Sequence, residues 1–151
     1  MAKGAAKISD KEAKDGGRKA QYAALPWRRG EAGVEVLLIT SRETRRWVIP
    51  KGWPMKGRKP FEAAAQEAFE EAGVIGVVKA RKAGAYRYAK RLKNGKLRLV
   101  HVNVYPLKVR EERDRWPEMA EREKKWVAPA EAAAMVDEPE LQALIAGFAP
   151  G

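Results

Sequence analysis

The sequence predicts a single α/β domain built on a mixed sheet, with one helix in the middle of the chain and another at its C-terminal end. Three observations predict it. Strand-like apolar runs come in pairs joined by turn signals, a run of strong helix formers from Phe61 to Ala72 stands between the pairs, and an Ala-rich stretch follows Pro129. Strands clustered in pairs disfavour a doubly wound topology, which alternates strand and helix throughout. Both helices carry an apolar side that must be covered, and a sheet supplies the cover. At 151 residues, one such domain buries about two-thirds of the surface its unfolded chain exposes.

Residues 1 to 17 mix Lys, Asp, Ala and Gly without hydrophobic period. That is the composition of a flexible basic tail, too poor in apolar surface to offset its ordering entropy, so the domain is placed at 18 to 151. Lys19 to Trp27 and Val34 to Thr40 read as strands, with Gly30 and Gly33 marking a hairpin between them. The polar turn Ser41 to Arg46 leads into Trp47-Val48-Ile49, a short apolar segment stopped by Pro50, and then into a loop with Gly52, Pro54, Gly57 and Pro60. The helix Phe61 to Ala72 has Pro60 near its first turn and Gly73 placed for a left-handed cap. Val74 to Tyr88 and Leu97 to Leu107 read as a second strand pair, turned at Lys93-Asn94-Gly95-Lys96, where Asn-Gly favours a tight hairpin. Trp126-Val127 reads as a last short strand. Pro129 then begins a helix reaching Phe148, interrupted or bent near Pro139. There are no internal repeats.

Composition narrows the chemistry. With no cysteine, neither a disulfide framework, a thiolate metal site nor a cysteine nucleophile is available, and any metal must be held by oxygen or by the one histidine. No apolar run reaches the roughly 18 residues of a membrane span, and the first residues have no hydrophobic segment behind their basic ones, so a soluble cytoplasmic protein is expected. A net charge of +11 favours anionic partners. Nucleic acid, an anionic membrane surface, a small polyphosphate or simply a solvated basic surface would each satisfy that charge.

The informative segment runs from Pro50 to Val74. Glu67, Glu70 and Glu71 are spaced i, i+3 and i+4, and at about 3.6 residues per turn these positions share one helix face. Three like charges there destabilise an isolated helix, so something positive should offset them. A hard divalent cation such as Mg²⁺ prefers carboxylate oxygen and keeps waters, and so could both neutralise the cluster and position a nucleophilic water. A solvent-facing acidic stripe is the bland alternative, since Glu is common on helix surfaces. Context favours the metal: the densest acidic group of a very basic chain follows a Gly- and Lys-rich loop able to bring N–H and ammonium groups to a polyphosphate.

These residues resemble the Nudix hydrolase family. Its box reads Gly, five residues, Glu, seven residues, Arg-Glu, a hydrophobic residue, any residue, Glu-Glu, any residue, Gly and a hydrophobic residue. The chain aligns in unbroken register from Gly52 through Gln66-Glu67-Ala68-Phe69-Glu70-Glu71-Ala72-Gly73-Val74. The resemblance implies a Nudix-type α/β/α sandwich with a mixed sheet, dependence on Mg²⁺ or Mn²⁺, and attack of water on a diphosphate linked to another group. It implies Glu67 and Glu71 as metal ligands and Glu70 as a third ligand or the base. Glu67 shares the catalytic assignment, because family members differ over which glutamate is the base. The Lys51 backbone carbonyl would be a further ligand. Two positions depart from the box: Arg58 stands for its first glutamate and Gln66 for its arginine. Gln66 can keep a hydrogen bond to the glutamates but loses the charge-assisted one, about twice as strong. Arg58 either faces substrate phosphates or lies on the surface.

Outside the box the chain is similar to the diphosphoinositol polyphosphate and diadenosine polyphosphate hydrolase branch. Lys19 enters the first strand, Arg42, Arg45 and Arg46 precede Trp47, and Arg122 lies in the run Glu121 to Trp126. Such a ring suits a phosphorylated small molecule, since Arg clamps phosphate through paired hydrogen bonds and Lys acts as a point charge. The candidate substrate contacts are therefore Lys19, Arg42, Arg45, Lys51, Gly52, Trp53, Arg58 and Arg122. Among Trp27, Trp47, Trp53, Trp116 and Trp126, only Trp53 is placed by the loop to touch substrate; packing is the commoner role for the others. His101 is expected in the core or on a sheet face. Glu111, Glu112, Glu118, Glu121 and Glu123 offer an extra loop ligand without a choice among them. A Nudix-fold module binding RNA or an anionic regulator, and a housecleaning pyrophosphatase for nucleoside triphosphates, stand as alternatives. A nucleic-acid partner and a membrane are disfavoured, and no oligomeric state follows from the sequence.

Overall fold

A computed structural model describes residues 19–150, so the expected tail at 1 to 17 lies outside the described residues. The order of elements is β1 (Lys19–Gly30), β2 (Gly33–Thr40), β3 (Trp47–Val48), β4 (Lys51–Gly52), α1 (Pro60–Ala72), β5 (Val74–Val78), β6 (Gly84–Arg91), β7 (Leu97–Glu112), β8 (Lys124–Val127), α2 (Pro129–Met135) and α3 (Pro139–Ala146). All eight strands join one mixed sheet. The hairpin β1–β2 is antiparallel, with Trp27 opposite Val36, whereas β1 and β7 run parallel from Lys19 opposite Val100 to Trp27 opposite Lys108. A parallel pair needs a crossover, and here the crossover carries α1.

Alternation along β7 explains why both sheet faces need a helix layer. Val100, Val102 and Val104 point to one side, where Ala132, Val136, Leu141 and Ile145 of the C-terminal segment cover them. Tyr105 and Leu107 point to the other, with Ala64, Ala68 and Ala72 of α1. The alanines let α1 lie close to the sheet, and this fixes the depth of the glutamates between them. The result is an α/β/α sandwich. No described helix is long and apolar enough to cross a membrane.

Two expected elements need correction. The single strand Val74 to Tyr88 is two strands on the same edge of β7, interrupted at residues 79 to 83. The physical reason is Pro106, whose carbonyl on that edge accepts from Lys79 N–H at 3.1 Å but which has no N–H to donate back. The loop after Pro50 begins with a strand: β4 pairs with β1, Tyr22 opposite Gly52 and Ala23 opposite Lys51. The interruption expected near Pro139 is present: the C-terminal segment forms two helices, each with proline in its first turn, separated at the extended Val136.

Candidate active site

α1 starts where Glu62 accepts a hydrogen bond from Lys59 N–H at 2.9 Å and ends at Gly73, whose φ of 71° needs glycine. Its last carbonyls are all satisfied from one loop and the strand after it. Glu118 N–H donates to Glu70 O, Trp116 Nε1 to Glu71 O, Lys124 Nζ to Ala72 O and Arg113 N–H to Gly73 O, at 2.7 to 3.2 Å. Trp116 also packs on Gly73, where a Cβ would meet its ring at 2.6 Å. The loop after β7 is thereby fastened beside the glutamate face. Spacing along the chain carried no signal for Trp116 or Lys124 in this role.

On that face the three glutamates occupy different environments. Glu71 is buried, and its Oε1 accepts from the Lys51 N–H at 3.3 Å. Glu67 is hydrogen-bonded to Glu71, and burial together with that bond and the neighbouring charges pushes its carboxyl up to about 9. Burial also raises Glu71, offset by Glu67, Arg122 and Lys51. Glu70 is half-buried, accepting from Gln66 Nε2 at 2.7 Å. The hydrogen bond expected of Gln66 is thus present. Gly52 packs against Glu67 so tightly that a Cβ would run into the carboxylate. Among the described residues no three acidic or histidine side chains converge as a ready metal cage. Two desolvated carboxylates sharing one site nevertheless fit a hard cation, which would offset their mutual repulsion.

Of the five carboxylates expected on a loop, Glu111 and Glu112 lie instead at the end of β7, paired with β5, and Glu118 is the one whose charge acts on both Glu67 and Glu71. It accepts from Arg122 Nε at 2.8 Å. Glu112, Glu121 and Glu123 instead pair with Lys124, Arg42 and Arg45 at 3.1 to 3.2 Å, and Glu111 with Arg113.

The basic residues expected to ring a ligand are engaged within the protein. Arg42 faces Glu121, Arg45 faces Glu123, and Arg46 faces Asp137 at 3.4 Å and Glu138 at 3.1 Å. Arg122, with a side chain only 9% exposed, sits between Glu118 and Glu71 and donates to Thr40 O at 3.0 Å. It positions carboxylates rather than projecting toward solvent. Arg58 Nη1 reaches Gln66 Oε1 at 3.4 Å on the exposed flank of α1. Lys51 turns its side chain inward, its ammonium 5.1 Å from the centre of the Tyr88 ring; burial lowers its pKa against the pull of Glu71 and Glu138. Trp53 is exposed at the mouth, while Trp27 lies in the core against Phe148 and Trp126 donates to Glu112. His101 is half-buried on β7 opposite Arg87, and Lys19 opens β1.

A family model of the NUDIX domain matches residues 18–147. Nudix hydrolase 12, mitochondrial, from Arabidopsis thaliana is 33% identical over 102 residues, covering 66% of this chain and 50% of that one. Nudix hydrolase 16, mitochondrial, of the same plant is 34% identical over 119 residues, covering 76% and 66%. The chain spans about half the length of the first of these relatives. Among solved structures, a C. elegans Ap4A hydrolase binary complex superposes with a TM-score of 0.62 at 22% identity over 86% of this chain and 99% of that one. The NUDIX domain of Shewanella oneidensis NrtR complexed with ADP ribose does so with a TM-score of 0.62 at 13% identity, over 91% and 95%. At these identities the likeness is one of fold.

Proposed function

The chain belongs to the Nudix family, and from that premise we propose that it hydrolyses a pyrophosphate bond in a phosphorylated small molecule with the help of Mg²⁺ or Mn²⁺. The observation that carries this reading is the desolvated Glu67–Glu71 pair, Glu67 pressed against Gly52 and Glu71 accepting from the Lys51 N–H. Glu67, Glu71 and the Lys51 carbonyl would hold the cation, with Glu118 close enough to act on both carboxylates. When bound, the cation supplies neutralisation of phosphate charge and a lowered pKa for water. Glu70, kept at the edge of the cluster by Gln66, takes the proton as the water oxygen attacks phosphorus. The bridging P–O bond then breaks, and its electrons leave with the departing phosphate.

A diadenosine polyphosphate is the substrate class we favour, with the diphosphoinositol polyphosphate class second. The pairing of Arg42, Arg45, Arg46 and Arg122 with carboxylates supports that order, since those arginines are not left as a bare cationic ring. The test is product release from diadenosine polyphosphates, inositol pyrophosphates, nucleoside triphosphates and ADP-ribose with Mg²⁺ or Mn²⁺, comparing wild type with Glu70→Gln and Glu71→Gln. Turnover that vanishes in either variant is the expected result. No turnover on any member, with anion binding intact, would replace the hydrolase by a binding module for RNA or an anionic regulator.

A further inference from the structure

Among the described residues, Glu138 Oε1 is buried without a hydrogen-bond partner. Its companion Oε2 accepts from Arg46 Nη1 at 3.1 Å, and the side chain is 11% exposed. A carboxylate oxygen withdrawn from water with no donor is destabilising, so its persistence calls for something that supplies the donor. The surroundings are polar. The Tyr88 hydroxyl donates to Gln21 Oε1 at 2.8 Å, and the Lys51 ammonium lies by the Tyr88 ring. Lys51 links this region to the glutamate face: its backbone N–H binds Glu71, and its ammonium feels the charges of both Glu71 and Glu138.

We propose that Glu138 is a specificity residue for the non-phosphate part of the substrate, its free oxygen accepting a hydrogen bond from an amino or ring N–H of a nucleobase. Arg46 holds the carboxylate in place from the other side. The inference rests on the hydrolase reading of the Glu67–Glu71 site and narrows its substrate to a nucleotide. A nucleobase offers N–H donors. A heavily phosphorylated inositol offers mainly anionic oxygens, which a carboxylate repels, so the same group that admits one class excludes the other.

The experiment is calorimetric binding of AMP and of ribose 5-phosphate to the full chain without divalent metal, followed by kcat and KM on diadenosine tetraphosphate with Mg²⁺. In Glu138→Gln, Arg46 retains the amide oxygen, so the NH₂ group is presented where the free oxygen stood and an acceptor becomes a donor. Expected is an AMP affinity weaker by about tenfold or more, as for a lost hydrogen bond to a charged group, with a matching rise in KM. Ribose 5-phosphate binding should be unchanged. Asp137→Asn is the control: Asp137 also faces Arg46, at 3.4 Å, but is 67% exposed, and this variant should match wild type. If Glu138→Gln fails to fold, Glu138→Asp keeps the charge, withdraws the oxygen and should weaken AMP in the same way. Unchanged AMP binding would overturn the proposal by leaving the oxygen to a buried water. Tighter binding would overturn it in favour of a phosphate, and so would no AMP binding by wild type. Failure of the hydrolase reading is separate, because Glu71→Gln removes turnover while leaving metal-free AMP binding in place.

Discussion

Two half-satisfied carboxylate sites lie on either side of Lys51, and they lack opposite things. At Glu67 and Glu71, two acids are crowded out of water on α1 and burial raises both carboxyls, so the missing partner is a cation. At Glu138, one acid already has its cation in Arg46, and the missing partner is a neutral hydrogen-bond donor. The first arrangement suits chemistry on phosphate, the second recognition of what the phosphate carries. Burial alone therefore does not make a carboxylate catalytic; what it still needs decides.

The largest expected effect separates the two sites outright. Glu71→Gln or Glu70→Gln should lower kcat by about a hundredfold or more on every substrate, whereas Glu138→Gln should act on KM and only for nucleotides. Equal losses of kcat in all three variants would erase the distinction.

Next comes Gly52→Ala. Its Cβ would collide with the Glu67 carboxylate, and a displacement of that group should reduce kcat/KM by up to about a hundredfold with little change in metal-free AMP binding.

Stability sharpens the contrast between buried and exposed arginines. Arg122→Ala strands Glu118 and Glu71 in a nearly dry setting and should cost about 3 kcal/mol in urea unfolding. Arg45→Ala, whose pair with Glu123 is open to solvent, should cost less than about 1 kcal/mol.

A fourth effect concerns pH. The Glu67 carboxyl is raised from 4.5 to about 9, so the folded chain holds a proton that the unfolded chain releases. This stabilising contribution is complete below about 4.5 and is lost as pH rises toward 9. The melting temperature of the metal-free protein should fall across that range. Saturating Mg²⁺ should flatten the slope, Glu67→Gln should reduce it, and Glu138→Gln should leave it intact.

The smallest effect is expected of Arg58→Ala, which removes a 3.4 Å contact to Gln66 on an exposed flank. A rise in KM of about twofold is expected, as for an interaction of a few tenths of a kcal/mol. A tenfold rise would place Arg58 directly on the phosphates.

What the sequence determined by itself was local. Pro60, the alanines and Gly73 set the bounds of α1, and helix pitch then put Glu67, Glu70 and Glu71 on one face, because residues three and four apart are neighbours whatever the rest of the chain does. The Gln66 to Glu70 contact followed from the same i, i+4 rule. Tertiary structure decided the rest. Ser41 to Arg46 meets Glu121 to Glu123 only because β2 pairs with β8, bringing residues about 80 positions apart to the same sheet end and closing the Arg42 and Arg45 ion pairs. Pro106 split the strand after Val74 because its missing N–H happens to face that edge of β7. Glu138 gave no sign along the chain, since Arg46 lies 92 residues away and only the packing of α3 over the sheet withdraws its second oxygen from water. Helix spacing is written in neighbouring residues, whereas the partners of a buried charge are written in topology.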